Sequence, residues 1–199
     1  MAHAAIHGGP EPYVGSMGRF PRQMAAGLYH VNAKGNNRRE LYLDDLDREA
    51  FLATLGRVVE RHVWTCHAFC LMTNHFHLLI ETPDESLPRG MQRLNLAYAK
   101  SFNRRYGTTG HVFEAPYHSE PVIRDSHALM SVRYIAQNPV EAGLCRVPEE
   151  WPWSSFGATL GLRRAPRWLT TTWVLGLFGS DVYVARRRLR DFVNGTRSR

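Results

Sequence analysis

Val63-Trp64-Thr65-Cys66-His67-Ala68-Phe69-Cys70-Leu71-Met72-Thr73-Asn74-His75-Phe76-His77-Leu78-Leu79-Ile80-Glu81-Thr82 is the stretch on which the reading of the fold turns. Trp64, Cys66, Ala68 and Cys70 alternate with Thr65, His67, Phe69 and Leu71, the two-residue period of a strand. Thr73-Asn74 reads as a tight connection, and His75–Thr82 as the next strand, closed by Pro83-Asp84. Upstream, residues 26–34 hold Leu28, Tyr29 and Val31 and end in Gly35-Asn36-Asn37, a first strand and its turn. Asp44-Asp45 then opens a helix that carries Phe51, Leu52, Leu55, Val58 and Val59 on one face. Downstream, a helix over residues 87–106 aligns Met91, Leu94, Tyr98 and Phe102, a stripe that belongs in a core. After a loop at 107–110, a fourth strand over 119–124 leads to a helix capped by Asp125-Ser126 and expected to end near Asn138, because Pro139 cannot continue it.

The order β-α-β-β-α-β predicts an α+β, ferredoxin-like split βαβ sandwich: a four-stranded antiparallel sheet with helices on one face, followed by an extra C-terminal helix. Residues 1–17, with Gly8-Gly9-Pro10 and Pro12, show no period and read as a disordered extension, with Met17 an alternative start. The domain spans 18–161, and 162–199 is expected to be a basic C-terminal extension.

Composition narrows the function classes. With 199 residues, 44% of them hydrophobic, the chain can bury one core, which excludes a disordered chain and a disulfide miniprotein. No apolar run is long enough for a membrane span. Cys66, Cys70 and Cys145 form no CxxC pair and read as reduced thiols, so the expected location is the cytoplasm. The excess of 25 basic over 18 acidic residues, net +7, favours a polyanionic partner.

A fold does not fix a function, so the site must. On a strand, His75 and His77 share one face, about 7 Å apart along it, while Phe76, Leu78 and Ile80 share the other. Such a pair can converge on a cation, since imidazole ligates Mn, Zn, Ni and Fe ions; it is equally a polar pair on an open sheet face. On the helix after the fourth strand, Ala128, Leu129, Val132, Ile135 and Ala136 form one apolar stripe. Tyr134 lies about 160° from its centre and Asn138 about 120°, one turn apart on the same side. The helix does not need Tyr134 for its own core, and a surface or interdomain tyrosine fits the pattern as well.

Five segments then occur in a recognisable order: His75-Phe76-His77-Leu78-Leu79, Gly90-Met91-Gln92-Arg93-Leu94-Asn95, Phe102-Asn103-Arg104-Arg105-Tyr106-Gly107, Arg133-Tyr134-Ile135-Ala136-Gln137-Asn138-Pro139-Val140 and Trp151-Pro152-Trp153-Ser154-Ser155. Together with Gly27-Leu28-Tyr29-His30-Val31 and Gly35-Asn36-Asn37, they resemble the REP-associated tyrosine transposases of the HUH single-tyrosine group, over about residues 17–161. The resemblance implies that His75 and His77 ligate a divalent cation, Mg or Mn, with Asn138 as third ligand and Tyr134 as nucleophile. It implies a metal-dependent single-stranded DNA endonuclease and strand transferase that passes through a 5′-phosphotyrosine link and needs no nucleotide cofactor. The implied partner is single-stranded DNA with a hairpin or palindrome, bound by a monomer or a homodimer that would be nucleoid-associated. Arg89, Arg93, Arg104 and Arg105 on the basic helix, and His118 before the fourth strand, are the candidate DNA contacts. The sequence departs from the family at Glu114-Ala115-Pro116-Tyr117-His118, where an expected arginine, and with it a local phosphate contact, is missing.

Two other classes compete. A hairpin-binding protein that no longer cuts would have no need of His75, His77 and Tyr134 together. A zinc-stabilised structural or RNA-binding domain would hold one zinc tightly, and the basic-aromatic strand motif of the common RNA-binding sheet is absent.

Overall fold

The computed structural model describes residues 25–195; the 1–17 extension expected above lies outside the described residues. The expected order is observed: β1 (Gly27–Lys34), α1 (Asp45–His62), β2 (Thr65–Leu71), β3 (His75–Thr82), α2 (Leu87–Tyr106), β4 (His118–Pro121) and α3 (Asp125–Glu141). The sheet runs β2-β3-β1-β4 with every pair antiparallel, the strand order of the split βαβ sandwich.

Helices pack on both faces of the sheet. Tyr29, Val31, Phe76, Leu78 and Ile80 pack under α1 and α2 in a first core with Phe51, Leu55, Met91, Leu94 and Tyr98. The opposite face gives Ala68, Cys70, Met72 and Leu79 to a second core beneath α3, through Ala128, Val132, Ile135 and Ala136. Three short helices close this second layer: α4 (Phe156–Thr159), α5 (Thr172–Gly176) and α6 (Val182–Asn194). Ala185, Leu189 and Val193 of α6 are fully buried there, so the 162–199 stretch is packed onto the domain as far as the structure describes it. The Trp151–Ser155 segment runs along the open edge of β2: Leu71 N donates to Trp153 O, Ser155 N to Phe69 O and Trp151 Nε1 to Leu71 O. That pairing removes an exposed sheet edge.

Local expectations change at three elements, β2, α3 and β4. The strict alternation of β2 breaks at a bulge between Cys66 and Ala68, where His67 is the additional residue. Cys66 therefore shares the first core with Phe69 and Leu71, while Ala68 and Cys70 face the second. Strand β2 also starts late, because Val63 is spent capping α1 in the left-handed conformation, φ 53°. Helix α3 does not stop at Pro139 but runs to Glu141, and Arg124 rather than Asp125 is its N-cap. Pro139 falls in the last turn, where its missing N–H forfeits a single bond, and Ala142 N still reaches Asn138 O at 3.0 Å. The unbroken helix keeps Asn138 in register one turn beyond Tyr134. The fourth strand is shorter than expected, ending at Pro121 on the sheet edge.

Candidate active site

Alternation along β1 and β3 sorts the side chains by face. Tyr29, Val31 and Ala33 go to the first core, so His30, Asn32 and Lys34 point with His75 and His77 to the other side. Register places Asn32 opposite His77 and Lys34 opposite His75. On the far side of β1, His118 pairs with Asn32 and Glu120 with His30. Helix α3 crosses above, and between helix and strands lies an open groove of about 730 Å³, lined by His30, His75, His77, His118, Glu120 and Tyr134 among others.

Three of the residues singled out as catalytic or ligating meet there. The His75 and His77 rings are 5.0 Å apart between centroids and nearly perpendicular. The Tyr134 ring stands edge-on to His77 at 5.2 Å and to His30 at 5.7 Å, and it is 46% exposed, so a ligand in the groove reaches it. Tyrosine and histidines belong to one chain. Asn138, the fourth, is buried; its Nδ2 donates to Tyr134 O at 3.0 Å, which leaves Oδ1 for another partner.

Burial governs the electrostatics. It is the main reason that the His77 pKa falls to about 3 and that of His30 to about 4; for His77, the neighbouring His30 and His75 add to the depression. His75 is lowered too, again mainly by burial. The Asn138 side chain partly opposes the shift at both His75 and His77. At neutral pH these rings are therefore uncharged, the state in which imidazole donates a lone pair to a metal.

A divalent cation fits this donor set. His77 Nε2 is buried and has no hydrogen-bond partner among the described residues, which is costly unless something occupies it. Two imidazoles and one amide oxygen make a sparse set that leaves coordination positions for substrate oxygens. Among the described residues no group of three or more His, Cys, Asp or Glu side chains could close around a metal.

The candidate DNA contacts divide. His118 lines the groove. Arg89, Arg93, Arg104 and Arg105 ride on α2, beyond the first core and on the opposite face of the sheet. Arg105 is engaged by Asp47 at 2.6 Å and by Asp44, and Tyr106 donates to Asp47 at 2.8 Å. Tyr98 is buried and Phe102 packs beside it, as the stripe predicted. The cations that line the groove are instead Lys34 and Arg38. Sequence reasoning passed over these two, and over His30, Glu120 and His127; alternation with buried Tyr29, Val31 and Ala33 was the signal that places His30 and Lys34 beside the histidine pair.

Known proteins resemble this chain in sequence and in fold. The model of the family described as "Transposase IS200 like" matches residues 24–138. A Haemophilus influenzae protein named for the REP-associated tyrosine transposases is 28% identical over 146 residues, covering 65% of this chain and 80% of its own length. The solved structure of a REP-associated tyrosine transposase bound to a REP hairpin superposes with a TM-score of 0.63 at 16% identity, over 77% of this chain and 92% of that one. A transposase-type protein of Deinococcus radiodurans covers 64% of this chain and 97% of its own at 18% identity, with a TM-score of 0.43.

Proposed function

Since the chain belongs to the IS200-like transposase family through a segment that holds the whole sheet, His75, His77, Tyr134 and Asn138, we propose that it nicks and rejoins single-stranded DNA with Tyr134 as nucleophile. The carrying observation is that an exposed tyrosine stands 5.2 Å from a buried, uncharged histidine of the same chain, over an open groove.

His75, His77 and the Asn138 oxygen would hold Mg or Mn, which when bound polarises a phosphate oxygen and favours the phenolate. Tyr134 attacks the scissile phosphorus in line: its oxygen forms the new P–O bond as its proton passes to solvent, the bond to the 3′-oxygen breaks, and that oxygen takes a proton from solvent to leave as a hydroxyl. The product is a 5′-phosphotyrosine, which keeps the bond energy, so a 3′-hydroxyl can reverse the step and join strands without ATP. Lys34 and Arg38 at the groove supply positive charge for the phosphate backbone, and His118 lies within the same cleft. Hairpin DNA is the proposed substrate, by analogy with the ligand of the solved relative. One chain carries every residue of the reaction, which makes a monomer sufficient.

A denaturing gel with 5′- and 3′-labelled hairpin oligonucleotides tests this, using wild type and Tyr134→Phe with Mn, Mg or EDTA. The expected result is a covalent adduct bearing the 3′-labelled fragment, absent in Tyr134→Phe and in EDTA. Hairpins that are retarded in a native gel but never form an adduct, across a varied pool and with either metal, would instead establish a binding protein that does not cut.

A further inference from the structure

The two histidines are held alike. His75 Nδ1 lies 2.8 Å from Asn74 Oδ1, and His77 Nδ1 lies 3.0 Å from His30 Nε2. In each ring Nδ1 is engaged and Nε2 is left over, and the Asn138 side chain acts on both rings. For His77 the remaining nitrogen is the buried atom without a partner described above.

An imidazole binds a cation only through a nitrogen that carries no proton, and the hydrogen bond at the other nitrogen decides which one that is. Asn74 Nδ2 donates to Arg38 O at 3.3 Å, which turns its Oδ1 toward His75. An amide oxygen can only accept, so His75 carries its proton on Nδ1 and offers Nε2. His30 is a less committed partner. As an acceptor at Nε2, with its own proton on Nδ1, it leaves His77 Nε2 free to ligate. As a donor it would move the His77 proton to Nε2 and close the site. The His30 ring is 5.1 Å from that of His77 and tilted 34° to it, and it also touches Tyr134, so it has little freedom to turn away.

We infer that His30 and Asn74 are positioning residues that fix the tautomers of His77 and His75, so that both Nε2 atoms offer lone pairs to one cation. This rests on the metal-site reading of His75 and His77. Neither residue ligates; each acts through the histidine it touches. Loss of such a partner costs on the order of 10- to 100-fold in metal affinity.

The test is Mn²⁺ affinity of the full chain, read from the free-ion EPR signal, for wild type, His30→Gln, His30→Asn, His30→Leu and Asn74→Ala, with His77→Ala as control. A glutamine oxygen reaches about where His30 Nε2 sits, whereas the shorter asparagine does not, and both are polar amides that a merely structural role would treat alike. Thermal midpoints in EDTA verify folding of each variant. The expected pattern is wild-type-like affinity within about threefold for His30→Gln, and 10- to 100-fold weaker binding for His30→Asn, His30→Leu and Asn74→Ala. Equal affinities across the His30 series, or a His30→Gln protein as weak as His30→Leu, would overturn the assignment while the metal site stands. If wild type takes up no Mn²⁺, or His77→Ala binds it unchanged, the metal-site reading fails and this inference with it.

Discussion

Replacing Ile135 by alanine separates the stability of the domain from the placement of Tyr134, the proposed nucleophile. Ile135 is 1% exposed and packs in the second core with Val132, Ala136 and Leu79, one residue from Tyr134. Removing three buried carbons forfeits about 2.4 kcal/mol at about 0.8 kcal/mol each. A cavity of about 50 Å³ left behind adds about 1 kcal/mol, for a total near 3.5 kcal/mol and a fall in thermal midpoint of about 10 °C. Leu55→Ala is the matched control: it removes as many carbons from a fully buried site on α1, in the first core, and should cost about the same. The two variants should diverge in adduct formation measured well below their midpoints. A shift of about 1 Å in a reacting group can cost on the order of 100-fold, and α3 is the element that carries Tyr134. Ile135→Ala should therefore slow the adduct 10- to 100-fold, while Leu55→Ala stays within twofold. Equal losses in both, or an undiminished rate in Ile135→Ala, would refute the claim that second-core packing aims the tyrosine.

Mixing His75→Ala with Tyr134→Phe should restore no adduct, since His77 and Tyr134 meet within one chain; recovery would mean that the tyrosine acts in a partner's site. Arg105→Ala should lower the thermal midpoint and leave hairpin affinity in a filter-binding assay unchanged, because its guanidinium is occupied by Asp44 and Asp47; a selective loss of affinity would return it to the DNA surface. Gly90→Ala should destabilise by about 1–3 kcal/mol in a urea melt, because the new Cβ would fall 2.1 Å from Trp64 Cζ2, and a neutral outcome would mean that α2 shifts freely. Burial lowers the pKa of His67 against the opposing pull of Glu81, so it takes up a proton less readily in the fold than in the unfolded chain, which protonates as pH drops below about 6.5. Wild type should accordingly lose more thermal stability than His67→Gln between pH 7.5 and 5.5, and parallel curves would count against that burial.

The central hairpin, the helix stripes and the strand order were all legible, because apolar period and turn residues speak for themselves where one face is buried. What sequence missed has local causes. One inserted residue, His67, inverted the facing of the rest of β2, which a two-residue period cannot anticipate. Pro139 looked like a stop, but in a last turn it costs little, and its own burial holds it. His75, His77, Tyr134 and Asn138 stood out as residue types at a spacing, whereas His30 is distant in sequence and comes to His77 only through β1–β3 register. The α2 arginines stand on the helix layer across the sheet from the groove. Charge on a helix says nothing about which face of the sheet that helix covers.

The site lies where it does because one face of the sheet changes character across its strands. Next to α3, β2 and the residue that follows it present Ala68, Cys70 and Met72, which must be covered. Two strands away, β1 and β4 present His30, Asn32, Lys34, His118 and Glu120, which need no cover. A helix drawn down by apolar area therefore settles over β2 and β3 and leaves the β1–β4 half open. Strand β3 is the boundary, and His75 and His77 stand on it. The helix edge dries them enough to remain neutral, while the other half of the face stays open as the groove. Tyr134 occupies the flank of α3 turned toward that opening, away from the Val132 and Ile135 that anchor the helix. Neutral histidines and an accessible tyrosine thus follow from the same packing decision, and a substitution that slid α3 toward β1 would bury the groove and uncover the apolar side chains of β2.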